Sequence, residues 1–206
     1  MAYIGKIPTA AALTASDITD GIISSAKIAD GTIVNADVNA SAAIVASKLS
    51  GSGKVLQVVS TTKTDTFSMT SSKTWTDITG LTLNITPSSS SNKILLFSSI
   101  NGMGTAGQTR MILRFMRDST AIGVGAAAGS RARAGFSKLY ETTDRSLSGT
   151  SGNFLDSPSS TSEITYKIQA YADSGYAVYV NRSATDTDDD TYDRTVSTIT
   201  AMEIGA

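Results

Sequence analysis

Two stretches of the chain carry side chains that could do chemistry. Asp186, Asp188, Asp189, Asp190 and Asp193 crowd one of them, with Tyr192 among them, while Arg131 and Arg133 flank Ala132 in the glycine-lined GSRARAG. Several carboxylates in one loop offer oxygens to a hard cation such as calcium, and guanidinium forks suit a planar carboxylate or a sulfate on a glycan. The EF-hand pattern fails in the acidic stretch, because its central glycine is missing and Ser197 stands where the closing Glu belongs. That stretch therefore reads first as a solvated loop and second as a weak cation site; no metal or cofactor is expected. Binding residues concentrate on loops carried by a rigid scaffold. The candidates are accordingly Arg131, Arg133, Asp188, Asp189, Asp190 and Tyr192.

Composition closes most other chemistry. The 206 residues include no histidine and no cysteine, which removes the commonest general base, the commonest metal ligand and every thiolate site. Cleavage of a glycan by two carboxylates stays chemically open, yet the acids crowd into one loop and no long parallel β-helix repeat builds a groove, so no catalytic site is expected. With 17 Lys+Arg against 18 Asp+Glu, the net charge of -1 gives no field for a nucleic-acid backbone or an anionic membrane. No apolar run approaches the roughly 18 residues of a membrane span, and the first residues lack a signal-peptide pattern, so membrane insertion is not expected and synthesis is expected in a cytoplasm.

Smaller motifs read blandly. Gly102, Gly104 and Gly107 match G-x-G-x-x-G after an apolar strand, but the following QTRMILRFMRD alternates like a strand, which makes the glycines a hairpin loop. Asn84-Ile85-Thr86 and Asn181-Arg182-Ser183 fit a glycosylation pattern that has meaning only on secretion, and Gly51-Ser52-Gly53-Lys54 is a fragment of a phosphate loop. Trp75, the sole tryptophan, is expected in the core or a subunit interface rather than as a sugar-stacking platform.

The elements that must position these residues are strands. Segments near 54–60, 62–69, 74–78, 81–86, 92–100, 109–117, 120–124, 134–141, 163–172, 176–181 and 195–204 carry strand patterns. PSSSSN, NGMGTAG, GAAAGSRARAG, SLSGTSGN, DSPSSTS and TDTDDDTYD separate them. In EITYKIQAYA, Ile164, Tyr166, Ile168 and Ala170 take one face, while Glu163, Thr165, Lys167, Gln169 and Tyr171 take the other. About ten short strands without a sustained helical period predict an all-β, antiparallel, jelly-roll-like sandwich over residues 54–206.

Ahead of it the chain repeats every ten residues: DITDGIISSA, KIADGTIVNA, DVNASAAIVA, then SKLSG. Ile18, Ile23, Ile28, Ile33, Val38 and Ala43 stand five apart, and after a one-residue slip Ile44 and Leu49 continue the line. That interval fits neither a helix nor a strand, and the Asp-Gly pairs at 20–21 and 30–31 predict a chain that bends about every five positions. No single copy can bury such a line, so identical partner chains are expected to share it around a common axis, with Ile18, Ile23, Ile28, Ile33, Val38, Ile44 and Leu49 facing inward. The organisation is thus a segment 1–15 ordered by another protein, a fibrous repeat shaft with its hinge at 16–53, and the sandwich head.

The tandem run DITDGIISSAKIADGTIVNADV, the join GKVLQVVSTTKTDTFS at 53–68 and the terminal STITAMEI at 197–204 resemble bacteriophage tail fibres and related virion fibres, especially those of phages of marine or cyanobacterial hosts. The resemblance covers nearly the whole chain. It implies an intertwined homotrimer located in the virion, its N-terminus fixed to other tail or capsid proteins and its C-terminal head held outward to a host surface glycan. The family has no universal binding motif, so it assigns no receptor residue. Host attachment is the expected function; a structural capsid-decoration or tail-assembly fibre that binds no receptor is the alternative.

Overall fold

Strict alternation of buried and less buried residues marks the strands whose sequences alternate: Ile164–Tyr171 and Ser197–Ile204 each bury every second side chain. The computed structural model describes residues 21, 23–39, 41–42, 54–70, 73–105, 110–138, 142–145, 147–173 and 175–206. The chain divides into two units, Met1–Ser50 and Gly51–Ala206.

The second unit is all-β. In chain order its strands are β1 (Val55–Lys63), β2 (Phe67–Thr70), β3 (Trp75–Ile85), β4 (Lys93–Gly104), β5 (Met111–Arg117), β6 (Thr120–Ile122), β7 (Phe136–Lys138), β8 (Ser148–Asp156), β9 (Ile164–Tyr171), β10 (Ala177–Val180) and β11 (Ser197–Ile204). The first sheet runs β1-β11-β4-β10-β2 with β8 on the other edge of β4; the second runs β3-β9-β5-β6, with β7 also on β5. Every pairing is antiparallel. Taking β10 with β11 and β1 with β2, the order is β1-β11-β4-β8 facing β3-β9-β5-β7, the interleaving of a jelly roll.

Inward side chains from both sheets form one core. Ile94, Leu96, Ile199, Ala201, Val178 and Val180 come from the first sheet, Leu83, Leu113, Phe115, Tyr166 and Ile168 from the second. Among the described residues the buried side-chain polar atoms other than Thr195 Oγ1 have hydrogen-bond partners. Asp156, at an inward position of β8, accepts from Arg117 at 2.9 Å and 3.0 Å and from the Tyr166 hydroxyl at 2.6 Å, tying the two sheets together. Burial and then the bond to Asp156 push the Tyr166 phenol well above its ordinary pKa. Glu203 accepts from Asn92 at 2.6 Å, from the Ser88 amide and hydroxyl at 2.7 Å and 2.8 Å, and from Gln57 at 2.5 Å. Burial opposes its ionisation, but the donors from Asn92, Gln57 and Ser88 outweigh it and lower the pKa.

Several expected segments shift. The separator SLSGTSGN proves to contain most of β8, which pairs with β4 from Ser148 to Asp156. A Cβ at Gly152 would lie 2.5 Å from the Phe136 ring, so packing across the sandwich demands the residue that made this strand look like a loop. Gly102 and Gly104 lie inside β4 rather than in a hairpin loop, and a Cβ on Gly102 would collide with the Tyr179 carbonyl. Gly107 falls outside the described residues. The two segments 74–78 and 81–86 are one strand, β3, with a register shift between Asp77 and Thr82.

β10 and β11 are one strand line with an excursion inserted. Val180 pairs with Gly102 and Thr198 with Ser99 on the same strand, β4. Asn181, at φ 59, donates its amide to Asn101 O at 2.9 Å and its side-chain Nδ2 to the carbonyls of Lys63 and Asp65, both at 2.9 Å. Ser197 Oγ donates to Asn181 Oδ1 at 2.6 Å. The acidic stretch leaves and rejoins the sheet across that bond.

In the first unit the bends recur every five residues. Lys27 N donates to Ser24 O at 2.8 Å, Thr32 N to Ala29 O at 3.1 Å, Asp37 N to Val34 O at 2.9 Å and Ala42 N to Asn39 O at 2.8 Å. Ser25–Lys27 and Asn35–Asp37 are 3-10 turns, and Gly21 and Gly31 supply left-handed backbone at φ 80 and 77. Ile23, Ile28, Ile33 and Val38 each precede one of the four turns and are between 37% and 57% exposed. Ile18, Ile44, Leu49 and the segment 1–15 lie outside the described residues.

Candidate functional site

The outer face of the second sheet brings aromatic rings and charges together. Cross-strand pairing sets Trp75 beside Tyr171 and Tyr171 beside Ile112; the next row is Asp77, Gln169 and Arg114, and Lys167 follows beside Met116. The Trp75 and Tyr171 rings meet at 5.4 Å, tilted by 49°, and the Arg114 guanidinium lies 4.1 Å from the Trp75 ring centre. Trp75 is thus not a core residue. An outward position of β3 sets it beside the Tyr171 ring and the Arg114 guanidinium.

These side chains hold each other in place. Arg114 donates to Gln169 Oε1 from Nε at 2.9 Å and from Nη2 at 2.6 Å, Gln169 donates to Asp77 at 2.6 Å, and Lys167 pairs with Asp77 at 2.6 Å. Burial works against the Asp77 carboxylate, yet the bonds from Lys167 and Gln169 prevail and lower its pKa. Burial, and then the charge of Arg133, lower that of Arg114. Cations are crowded here.

At the end of this face where β3 and β5 begin and β9 finishes, a cleft of about 670 Å³ opens. Lys73, Arg110, Arg131, Ser130, Ser137, Tyr171 and Asp173 line it, with Ile112, Ala132 and Ala134 as its apolar part. Lys73 stands at φ 57, a backbone conformation uncommon outside glycine. Strand ends and the β6–β7 loop therefore converge three cations on one aromatic-walled hollow.

The structure separates the sequence candidates. Arg131 lines the cleft; Arg133 turns back to donate to Gly125 O at 2.8 Å, within its own loop. Asp188, Asp189, Asp190 and Tyr192 belong to the excursion between β10 and β11 and do not line the cleft. Within that excursion Asp189 accepts from the Thr191 amide at 2.9 Å and hydroxyl at 2.7 Å, bonds that lower its pKa. The Arg145 guanidinium lies 5.2 Å from the Tyr192 ring, and Asp186 pairs with Arg194 at 2.6 Å and with Arg182 at 3.4 Å. Among the described residues no group of three or more carboxylates is placed to hold a metal ion. Lys73, Arg110 and Tyr171 were not foreseen as site residues, although a tyrosine on the polar face of the alternating β9 was a legible signal.

The outer face of the first sheet is of another kind. Val58, Met202, Leu95 and Leu155 stand in one row across β1, β11, β4 and β8. The next row is Ser60, Thr200, Phe97 and Asn153, and the third is Thr62, Thr198, Ser99 and Ser151. None of these side chains is charged. Val58, Phe97 and Leu155 are exposed, as are Val55 and Leu56 at the start of β1.

Among the described residues no helix is long and apolar enough to cross a membrane. No protein-family model matches the chain, and no curated protein matches it. Solved structures of infectious bursal disease virus are similar to it at a distance. That of the Gx strain shows 14% identity and a TM-score of 0.38 over 77% of this chain and 40% of that one. A mutant VP2 protein of the same virus shows 12% identity and a TM-score of 0.37 over 73% of this chain and 36% of that one. The matched part is less than half the length of either.

Proposed function

We propose that this protein is a phage virion fibre subunit that attaches the particle to its host, working as a homotrimer without catalysing a reaction. The observation that carries the proposal is the run of four hydrogen-bonded turns five residues apart, each preceded by an exposed Ile or Val. Burying such a side chain is worth roughly 1.5–3 kcal/mol, which a lone copy of the repeat forgoes and an assembly around a shared axis gains. Three uncharged rows on the outer face of the first sheet give the head a second surface that copies of the chain can cover. The likeness of the repeat to virion fibres supports the same reading.

Attachment then follows from repetition. A weak site on each head, presented threefold and on several fibres, gains avidity through effective concentration. The N-terminal segment anchors to other virion proteins in this scheme. Two measurements on the full-length protein test it. Light scattering should report three chains at micromolar concentration, and labelled protein should adsorb to permissive cells. A stable monomer overturns the fibre. A trimer that adsorbs to no permissive cell leaves a structural role in the capsid or tail.

A further inference from the structure

We infer that the cleft between Lys73, Arg110, Arg131 and Tyr171 binds an acidic sugar of a polysaccharide, one carrying a carboxylate or sulfate; its place on a host surface rests on the attachment reading above. A hollow of about 670 Å³ is the size of small-molecule sites and takes a short run of sugar rings. Its lining sets three cations against the single carboxylate of Asp173, while the whole chain carries a net charge of -1. The positive charge is therefore local.

An inorganic anion would need only the cations. Tyr171 adds an aromatic wall, backed by Trp75 at 5.4 Å, and Ile112 an apolar floor, surfaces that suit the C–H face of a pyranose. The hydroxyls of Ser130 and Ser137 can exchange hydrogen bonds with sugar hydroxyls, and arginine forks grip a planar carboxylate or sulfate in two places. A neutral sugar gains nothing from the excess of positive charge in the lining, so the site selects for acid groups. Nucleic acid is disfavoured by the confined shape of the positive region, which offers no track for a phosphate backbone.

The test is titration of the full-length protein with polygalacturonate and sulfated galactan oligosaccharides, against dextran oligosaccharides and single-stranded DNA. Acidic oligosaccharides should bind at least tenfold more tightly than dextran and than DNA of equal charge. The double replacement Arg110→Ala and Arg131→Ala should weaken that binding at least tenfold, with partial recovery for Arg131→Lys and no change for Lys27→Ala, an exposed lysine of the repeat. Both arginines are exposed, so the fold should persist, and an unchanged melting temperature checks this. Equal binding of neutral sugar, equal binding of DNA, or an indifferent double variant overturns the assignment. Cell adsorption by the same proteins separates the two claims. Acidic sugar bound without adsorption sinks attachment alone, and adsorption that the double variant retains sinks the cleft alone.

Discussion

The two outer faces of the sandwich share a core and a strand architecture yet differ in what water can do for them. On the first sheet, three successive rows across four strands carry Val, Met, Leu, Phe, Ser, Thr and Asn without a charge. On the second, Asp77, Arg114 and Lys167 interlock through Gln169 beside a tryptophan and a tyrosine. Uncharged rows that expose apolar area favour being covered. A face of paired charges is costly to desolvate and is better left to small polar ligands. The two sides of one sandwich thus present different chemistry to whatever meets them.

The most damaging change to this arrangement should be the one that uncouples the faces. Asp156 comes from the first sheet and its partners Arg117 and Tyr166 from the second. Asp156→Ala leaves a guanidinium and a buried phenol without their acceptor, and a loss of about 3–5 kcal/mol is expected, read as a fall in the denaturation midpoint. A loss below about 1 kcal/mol would mean that apolar packing alone joins the sheets.

Next in size is a direct challenge to the apolar face. Phe97→Asp with Leu155→Asp removes burial worth roughly 1.5–3 kcal/mol for each side chain and sets charges in its place, so association between chains should weaken at least a hundredfold. Both residues are exposed in the single chain, so its circular dichroism should be unchanged. Light scattering that the double variant leaves unchanged would place any association between chains on another surface.

The smallest effect separates the faces by pH. Asp77 has a folded pKa lowered from 3.8, so its stabilising contribution is complete above that value and is lost as pH falls through the lower folded one. The three rows of the first face contain no titratable side chain. Asp77→Asn should therefore flatten part of the decline in melting temperature between about pH 5 and pH 2, by less than about 1 kcal/mol because the pair is partly solvated. Association through the first face should not follow that titration. A wild-type and variant decline of equal slope would show that the pair contributes nothing.

What the sequence made legible follows the range of the interactions concerned. β9 and β11 could be read because alternation is local, and so could the five-residue bends, where each turn closes within four residues. β8 could not: its Ser and Gly content is set by the Phe136 ring across the sandwich and by β4, about fifty positions earlier. Arg131 and Arg133 look equivalent in GSRARAG, and only the folded loop turns one to the cleft and the other to Gly125 O. Lys73, Arg110 and Tyr171 are distant in the chain and meet only because β3, β9 and β5 are neighbours. Trp75 misled because a large aromatic residue is ordinarily core, whereas an outward position of β3 decides its side.

The bond between Ser197 Oγ and Asn181 Oδ1 means that the acidic excursion begins and ends at points already joined. Its length is therefore decoupled from the sheet, since doubling such a loop costs only about 0.6 kcal/mol in closure entropy. Asn181 stays anchored on Asn101, Lys63 and Asp65, and β11 keeps its pairing with β1 and β4 whatever lies between. Ser183 is buried and Ala184 bonds to Met103, so it is the exposed residues 187–191 that can be lengthened or exchanged while the ladder on either side remains in register.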